Sequence, residues 1–375
     1  MHPPGHSTGD ALLRSLWMPG EDWMPGEDGG GPDPATSSGP RGGLRHRPAA
    51  VFSQAAPPAG MVSRGVRDTE SSHRVAVILN PVTPAYQRVQ AVLRQAVTAS
   101  GLAPPLVMTT TVADPGLGQA RRALMEGVGR VIVAGGDGTI RHVAGVLAGT
   151  DVPLAVIPAG SGNVFASNLG LRRSNLQANV RLALTGRTRR VDLGWARCRT
   201  TTRSDLPPYP FLCMVGIGWD AQTVADTTPL LKQTLGPLAY LAAGAGHLFG
   251  RLQDMSVQVD GNAPEDLRVW TLLVGNVPLV PGGITVFPQA RVDDGLLDVL
   301  RVTARTPGHW LRVAGKGLVN PDADVPGLRH QQGHRIVVRP RQPTPVQVDG
   351  DVVEQVTQLA VRVQPAALRV VVPAA

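Results

Sequence analysis

Residues 131–139 read Val-Ile-Val-Ala-Gly-Gly-Asp-Gly-Thr, and this stretch decides how the chain folds. Its first four residues are small or β-branched and apolar, which is typical of a strand that is buried on both faces. The glycines end the strand, and the apolar residues that follow have the spacing of one helix face: Ile140, Val143, Ala144 and Leu147. A buried strand that passes through a glycine turn into a helix predicts a parallel α/β sheet.

The same alternation of strand and helix continues on both sides of this stretch. Residues 75–79 form a continuous apolar run of strand length, and a helical apolar pattern follows it up to Gly101. Residues 154–157 give another apolar run, which leads directly into a second glycine turn at residues 158–163. We therefore predict an α/β domain, with a parallel sheet covered by helices on both faces, over residues 73–190.

Beyond residue 190, short β-type runs replace this alternation. Asp260-Gly261 lies between two of the runs and is a signal for a hairpin turn. We predict a mostly antiparallel β domain over residues 191–375, sandwich-like or, with a similar pattern, a barrel, with helices at 229–252 and 309–318. Its predicted strands cover residues 211–215, 255–259, 269–274, 296–302, 335–338 and 368–372.

Composition, net charge and cysteine spacing limit the classes of protein to which the chain can belong. Residues 1–72 are rich in Pro, Gly and Ser and lack apolar periodicity, so we expect a disordered extension. The net charge of +8 favours anionic partners, but no basic run is interleaved with aromatic residues, which argues against nucleic acid. Cys198 and Cys213 do not have the spacing of a disulfide framework or a zinc site. We expect a cytoplasmic protein without a transmembrane segment, associated peripherally with the inner face of the membrane.

The two glycine turns carry the strongest chemical signal. Each follows a strand and opens a helix, so backbone N–H groups point outward together and can bind a phosphate. Asp137 would repel a bare phosphate, which indicates a bridging Mg²⁺. Both turns should open on the same edge of the sheet, where ligands of such sheets bind. An ordinary strand-to-helix turn stabilised by an Asp explains the first turn, taken alone, equally well.

The ordered set of motifs resembles the catalytic domain shared by diacylglycerol kinases, sphingosine kinases and ceramide kinases. The set begins with Asn80-Pro81 and the two glycine turns, and it continues with residues 216–221 and 281–283. It ends with residues 292–299, Val-Asp-Asp-Gly-Leu-Leu-Asp-Val, and with Val348–Asp351. The resemblance implies an ATP- and Mg²⁺-dependent kinase that phosphorylates a lipid hydroxyl group, with diacylglycerol as the first choice of acceptor and phosphatidic acid as the product.

The resemblance also implies the residues of the site. The candidate general bases are Asp349 and Asp351, since a positioned carboxylate can accept the proton of an attacking hydroxyl group. Asp137 is the expected ligand of the Mg²⁺ that bridges to the nucleotide. A second metal, distinct from it, is expected on the loop that contains Arg291, Asp294 and Leu296, partly through backbone carbonyls. ATP is expected in the cleft between the two domains, bound by residues of the strand ends and glycine turns: Asn80, Pro81, Thr110, Thr111, Gly135, Gly136, Asp137, Gly138, Thr139, Ser161 and Asn163.

Several residues depart from the family pattern, including residues 82–84 after Asn80-Pro81, Ser161 in place of a Thr and Val164 in place of an Asp. Arg141-His142 stand where the family usually has Asn-Glu, and Asp351 replaces a Glu. A guanidinium group binds phosphate well, so a contact with phosphate is one interpretation of Arg141. The departures leave alternatives open: a kinase for sphingoid or other lipids, a kinase for a soluble acceptor of the NAD kinase type, and a relative that binds nucleotide or lipid without catalysis. A homodimer is also left open.

Overall fold

Strands and helices alternate through the N-terminal lobe. The computed structural model describes residues 74–204, 206–219, 221, 251–281, 283–303, 325 and 327–374. The elements of this lobe are β1 (Val75–Leu79), α1 (Tyr86–Ala99), β2 (Leu106–Thr109), α2 (Leu117–Met125), β3 (Arg130–Gly135), α3 (Asp137–Leu147), β4 (Leu154–Pro158), α4 (Val164–Asn168) and α5 (Leu176–Thr185). β1 pairs with β2 and β3, and β3 pairs with β4, all in parallel. The predicted parallel α/β architecture is confirmed.

Several predicted features lie outside the described residues. They are the disordered extension at 1–72, the helix at 309–318 and most of the helix at 229–252, whose last two residues are described and are not helical. Among the helices in the described part of the chain, none has the length and apolar content needed to cross a membrane.

The helices cover the parallel sheet because each presents an apolar stripe. In α1, Val89 and Leu93 are four residues apart and buried, and they pack in one core with Leu79 and Ile132 of the strands. Strands β1, β3 and β4 are buried along almost their whole length, as expected for a sheet covered on both faces. This packing leaves the loops at the carboxyl ends of the strands as the place for a ligand.

The C-terminal lobe consists mainly of antiparallel strands: β5 (Arg187–Thr200), β6 (Tyr209–Phe211), β7 (Met214–Gly218), β8 (Gln253–Val259), β9 (Glu265–Val269), β10 (Thr271–Gly275), β11 (Leu279–Val280), β12 (Ile284–Thr285), β13 (Leu297–Val302), β14 (Leu328–Gly333), β15 (Arg335–Pro340), β16 (Thr344–Val348) and β17 (Asp351–Val372). One path of neighbours runs β14–β13–β10–β7–β16–β17, and a second path, β9–β8–β15, also reaches β17. Residues of both paths share one apolar core, with Val215, Val257 and Ile336 among them. The predicted antiparallel, sandwich-like architecture is confirmed, as is the hairpin at Asp260-Gly261 between β8 and β9.

Two of the predicted strands are divided in the structure. The run at 211–215 is split between β6 and β7, because the N–H groups at the break donate to the carboxylate of Asp349. The run at 269–274 is split at Trp270, where the chain changes from pairing with β8 to pairing with β7 and β13. Apolar content does not mark such a passage from one set of strands to another.

β17 connects the two lobes. The sequence predicts only residues 368–372 as a strand, whereas β17 begins at Asp351 and pairs antiparallel with β5 over most of its length. Near its end it pairs in parallel with β4, through Val370 and Leu154, so the parallel sheet continues into β17. The described residues belong to one compact unit, Thr69–Ala375. The predicted domain boundary at residue 190 lies within β5, and the domain limits remain a prediction.

Candidate active site

The carboxyl ends of the parallel strands form one edge, which backbone hydrogen bonds hold together. The N–H of Asn80, after β1, donates to the carbonyl of Ala134 at 3.0 Å, and the N–H of Thr110, after β2, donates to the last carbonyl of β1 at 2.9 Å. The N–H of Gly160, after β4, donates to the carbonyl of Gly135 at 3.1 Å. The structure therefore brings the predicted nucleotide-binding residues of four strand ends together on a single edge.

The two glycine turns contact each other through their backbones. A Cβ atom on Gly160 would lie 2.4 Å from the Cα of Gly136, so residue 160 has to be glycine. Asn163 has a left-handed backbone, with φ 50°, and its side chain closes the second turn. Its Oδ1 accepts the Gly160 N–H at 3.1 Å, and its Nδ2 donates to the Gly160 carbonyl at 2.5 Å. The second turn is thus fixed against the first, with Ser161 exposed at its tip.

Asp137 links the first glycine turn to the helix that follows the second. Its Oδ1 accepts the N–H of Phe165 at 3.2 Å, at the N-terminal end of α4. Burial raises the pKa of Asp137, and hydrogen bonds from the backbone of Val164, Phe165 and Asn163 oppose the rise. The carboxylate therefore serves the structure of the edge, and its role as a Mg²⁺ ligand remains a prediction.

The other residues predicted to bind the nucleotide differ in exposure. Thr110 and Thr139 are buried within the edge. Pro81, Thr111 and Gly138 are exposed. The exposed residues mark the open side of the edge, from which a phosphate can reach the N-terminus of α3.

Asp349 and Gly350 connect β16 to β17 as a hairpin turn. Both have positive φ, 47° and 90°, as a type I′ turn requires. The Asp349 carboxylate accepts three backbone N–H groups, from Leu212 at 2.7 Å, Cys213 at 3.0 Å and Met214 at 2.8 Å. These bonds anchor the turn on the break between β6 and β7, and they occupy both oxygens of this candidate base.

Arg141 connects the helix of the first glycine turn to the same hairpin. The residue is only 1% exposed, which is rare for arginine. Its Nη1 donates to the carbonyl of Val348 at 2.9 Å, and its Nη2 forms an ion pair with Oδ2 of Asp351. The side chain of Asp351 is 64% exposed. The two candidate bases therefore differ, because backbone amides enclose the Asp349 carboxylate while that of Asp351 is open.

The charges around this hairpin shift two pKa values. Burial raises the pKa of Asp349 to about 6, against the opposing effects of the Arg141 charge and the three N–H donors. Burial and the Arg141 charge lower the pKa of His142, although the charge of Asp351 acts the other way. His142 is therefore neutral at pH 7, and its Nε2, 3.3 Å from Nη2 of Arg141, can accept a hydrogen bond.

The predicted metal loop, which runs from Arg291 to Leu296, is anchored by Asp192. Asp192 is buried, and its two oxygens accept the N–H groups of Gly295 at 2.7 Å and Ala366 at 2.7 Å. Burial is the main cause that raises the pKa of Asp192, and the charges of neighbouring carboxylates on the loop add to the effect. Asp192 thus holds the loop in place through its backbone.

Asp294 is the carboxylate of this loop that the sequence predicts as a ligand. It is exposed, and its Oδ1 accepts the N–H of Leu296 at 3.0 Å. The side chain of Arg291 points its Nε at Asp293, 3.9 Å away. Within the described ranges, no group of three or more His, Cys, Asp or Glu side chains could hold a metal ion. A carboxylate with backbone carbonyls suits Mg²⁺ or Ca²⁺, so the loop fits a cation that has few protein ligands, and metal binding here stays a prediction.

Sequence reasoning did not assign three parts of this site. Asp192 carries a signal in retrospect, because an acid within an apolar strand needs dedicated partners. For Arg141 the sequence suggests a contact with phosphate, whereas its bonds to Val348 and Asp351 of the hairpin have no sequence signal. The N–H groups of residues 212–214 carry no side-chain signal at all.

Two family models match the two lobes. The diacylglycerol kinase catalytic domain matches residues 74–196. The YegS C-terminal NAD kinase beta sandwich-like domain matches residues 213–372. Together with the edge of glycine turns and the closing carboxylate hairpin, these matches define a protein of the diacylglycerol kinase class.

Comparison with individual proteins identifies the family more closely. A diacylglycerol kinase of Mycobacterium tuberculosis is 32% identical over 193 residues, which are 51% of this chain and 60% of that protein. A Pseudomonas aeruginosa protein named "Probable lipid kinase YegS-like" is 32% identical over 270 residues, 68% of this chain and 82% of the relative. The fold also matches the crystal structure of a diacylglycerol kinase from Bacillus anthracis, with a TM-score of 0.60 at 20% identity, over 80% of this chain and 97% of that one. The chain belongs to the diacylglycerol kinase family, together with the YegS-like lipid kinases.

Proposed function

We propose that this protein is an ATP- and Mg²⁺-dependent lipid kinase and that diacylglycerol is its acceptor. The observation that carries the proposal is the open carboxylate of Asp351, which Arg141 of helix α3 holds by an ion pair. The N-terminus of α3 lies at the edge formed by the strand ends and the two glycine turns, which we call the phosphate edge. A phosphate site and a positioned base are what the transfer of a phosphoryl group to an alcohol needs. The names of the two relatives support a lipid as the acceptor.

In the proposed reaction, Asp351 accepts the proton of the lipid hydroxyl group while the hydroxyl oxygen attacks the γ-phosphorus. The new P–O bond forms as the bond to the bridging oxygen breaks, and ADP leaves. The N–H groups of the glycine turns bind the phosphate oxygens and stabilise the charge on them. Mg²⁺ carried by the nucleotide would neutralise part of that charge. Asp349 holds the hairpin in place and is not the base, because its oxygens already accept three N–H groups.

The acceptor is reached at a membrane surface in this proposal. The net charge of +8 favours association with anionic lipid headgroups from the cytoplasmic side. An apolar acceptor also needs an apolar cleft, and the apolar segment predicted at 229–252 is the candidate to border it. That segment lies almost wholly outside the described residues.

The test is a transfer assay on the full-length protein. Purified protein is incubated with labelled ATP, Mg²⁺ and a mixed lipid extract that contains diacylglycerol, and organic-soluble and aqueous products are separated. We expect labelled phosphatidic acid, and its loss in Asp351→Asn. A different labelled lipid would retain the kinase and correct the acceptor. Label in a soluble product, or no transfer by a folded protein that binds ATP, would overturn the proposal.

A further inference from the structure

We propose that Arg141 is a positioning residue for phosphoryl transfer, which aims the Asp351 carboxylate at the hydroxyl group of the acceptor. The inference rests on the proposed function of Asp351 as the base. It concerns a residue at which the resembling kinases usually carry Asn, so it is a property of this chain.

Arg141 and the first glycine turn belong to one rigid element. Helix α3 begins at Asp137, at the end that the phosphates would approach. Arg141 is four residues further along, and residues at this spacing lie one above the other on the same helix face, about 6 Å apart along the axis. Helix geometry therefore fixes the distance between the phosphate-binding N–H groups and the root of the arginine side chain.

The guanidinium group reaches from α3 to the hairpin and holds it at two points. Nη1 donates to the carbonyl of Val348 at 2.9 Å, and Nη2 pairs with Asp351. Val348 and Asp351 are direct partners at the closed end of the hairpin. A planar fork that binds a backbone carbonyl and the carboxylate opposite it fixes the position of the hairpin and the direction of the carboxylate. Since Arg141 is 1% exposed, the packing around it also fixes the fork.

The burial of Arg141 is costly for stability alone. A buried guanidinium group loses its hydration, and its Nε has no hydrogen-bond partner among the described residues. Its ion-pair partner, Asp351, is mostly exposed, so the pair is weakened by water on one side. A well-packed apolar side chain would stabilise the interface between α3 and the hairpin as well or better. An arginine in this place indicates a role in the site.

The hairpin has a second anchor that does not involve Arg141. The carboxylate of Asp349 binds the N–H groups of residues 212–214, and the N–H of Gly350 donates to the side chain of Gln347 at 2.9 Å. Loss of the guanidinium group should therefore release the Asp351 side chain while the hairpin itself stays folded. This separation makes the positioning role testable.

A double-mutant cycle is the main test. Single-turnover transfer from labelled ATP to diacylglycerol in vesicles is measured for the wild type, Arg141→Gln, Asp351→Asn and the double variant. We expect Arg141→Gln to be slower by about 10–100-fold, because a misplaced catalytic group costs about this much. If Arg141 acts through Asp351, the double variant is no slower than Asp351→Asn within about twofold. A double variant slowed by the product of the two single effects overturns the positioning role.

The kinetic parameters separate positioning from a merely structural role. In Arg141→Gln kcat should fall while the KM values for ATP and diacylglycerol stay within about twofold, because the guanidinium group holds the base and binds neither substrate. Arg141→Lys keeps the charge but loses the fork, so its kcat should also fall. Lysine also serves as the informative variant if Arg141→Gln does not fold. An unchanged kcat in both variants, or a loss that lies in KM alone, overturns the proposal.

The matched control is Arg301→Gln, which removes another arginine that pairs a largely buried side chain, 13% exposed, with an exposed acid, Glu265, at 2.7 Å. Its kcat and KM values should equal those of the wild type, and a loss of kcat like that of Arg141→Gln overturns the positioning role. If the wild type transfers no phosphate to lipid, or Asp351→Asn equals the wild type, the proposed function has failed as well. If Asp351→Asn is slow and Arg141→Gln is as fast as the wild type, only the positioning role has failed.

Discussion

The two sides of the proposed site are built in opposite ways. The phosphate edge consists of backbone groups at the ends of adjacent strands, where Gly136 and Gly160 allow the two turns to touch. The carboxylate hairpin, residues 348–351, consists of side chains that bind residues far away in the sequence, and Asp351 lies 210 positions after Arg141. A site made of backbone groups is damaged by added atoms, whereas a site made of side chains is damaged by removed atoms. The predictions below test this difference.

The largest effect is expected at the hairpin. Asp351→Asn removes the proposed base without changing the size of the side chain, so the transfer rate should fall by about 10²–10⁴-fold. The thermal unfolding midpoint should fall only moderately, because the amide oxygen can still accept a hydrogen bond from Arg141 and the side chain is 64% exposed. The control is Asp266→Asn, which removes an exposed carboxylate paired with Arg341 at 3.0 Å and should leave the rate unchanged. A transfer rate in Asp351→Asn equal to that of the wild type would contradict the proposed role of the hairpin in the reaction.

The next effect is expected at the phosphate edge, on addition of one methyl group. In Gly160→Ala the new Cβ would lie 2.4 Å from the Cα of Gly136, so the turns must move apart, and the affinity for ATP should fall by about 10–100-fold. In Gly136→Ala the new Cβ would lie 3.6 Å from the Cα of Gly160, an ordinary contact. Calorimetric titration with ATP should show the larger loss for Gly160→Ala. Equal losses in both variants would contradict the steric explanation.

Asp349→Asn should act on stability. The amide keeps one acceptor oxygen for Cys213 and Met214 but turns an NH₂ group towards the N–H of Leu212, which loses its partner. A buried unpaired donor costs about 1–3 kcal/mol, so the free energy of unfolding in urea should fall by about this amount at pH 7. The transfer rate of the folded fraction should stay well above that of Asp351→Asn. If Asp349→Asn is slower than Asp351→Asn, Asp349 is the base and Asp351 is not.

The smallest effect is expected from His142 and depends on pH. Burial and the Arg141 charge lower the pKa of His142 below its ordinary value of 6.5 in the folded state. Below pH 6.5 the unfolded chain then binds more protons than the folded protein does. The contribution of His142 to the free energy of unfolding is therefore complete above that pH and falls as the pH decreases towards the folded-state pKa. In His142→Gln this dependence should be absent. Urea unfolding of the wild type and of His142→Gln at pH 7 and pH 5 checks this prediction. If the free energies of unfolding of the two proteins differ by the same amount at both pH values, the prediction is wrong.

The sequence predicts well that the strand ends and the two glycine turns lie on one edge, because the causes of this arrangement are local. The apolar run of β3, the glycines after it and the helical spacing in α3 all lie within a few residues of one another, and each has its own pattern. Parallel pairing then brings the strand ends together without further information. The same reasoning places the two turns side by side, as the contact between Gly136 and Gly160 shows.

The hairpin could not be predicted to the same extent because its causes are distant. Nothing near Asp349 indicates that its carboxylate binds the N–H groups at the break between β6 and β7, and for the same reason the strand predicted at 211–215 was wrong as a single element. The partner of Arg141 depends on a fold that the chain has to complete first. The length of β17 was missed because its register shifts between Gln364 and Leu368 interrupt any regular alternation.

The path of β17 has a consequence for how the protein is made. The strand that closes the parallel sheet comes from near the end of the described chain, since Val370 pairs with Leu154. During synthesis β4 therefore has an open, apolar edge until the last strand emerges, which exposes the nascent chain to mispairing and slows folding through long-range contact. The same strand begins at Asp351. Closure of the sheet and placement of the proposed base therefore depend on one strand, which is among the last parts of the described chain to be synthesised.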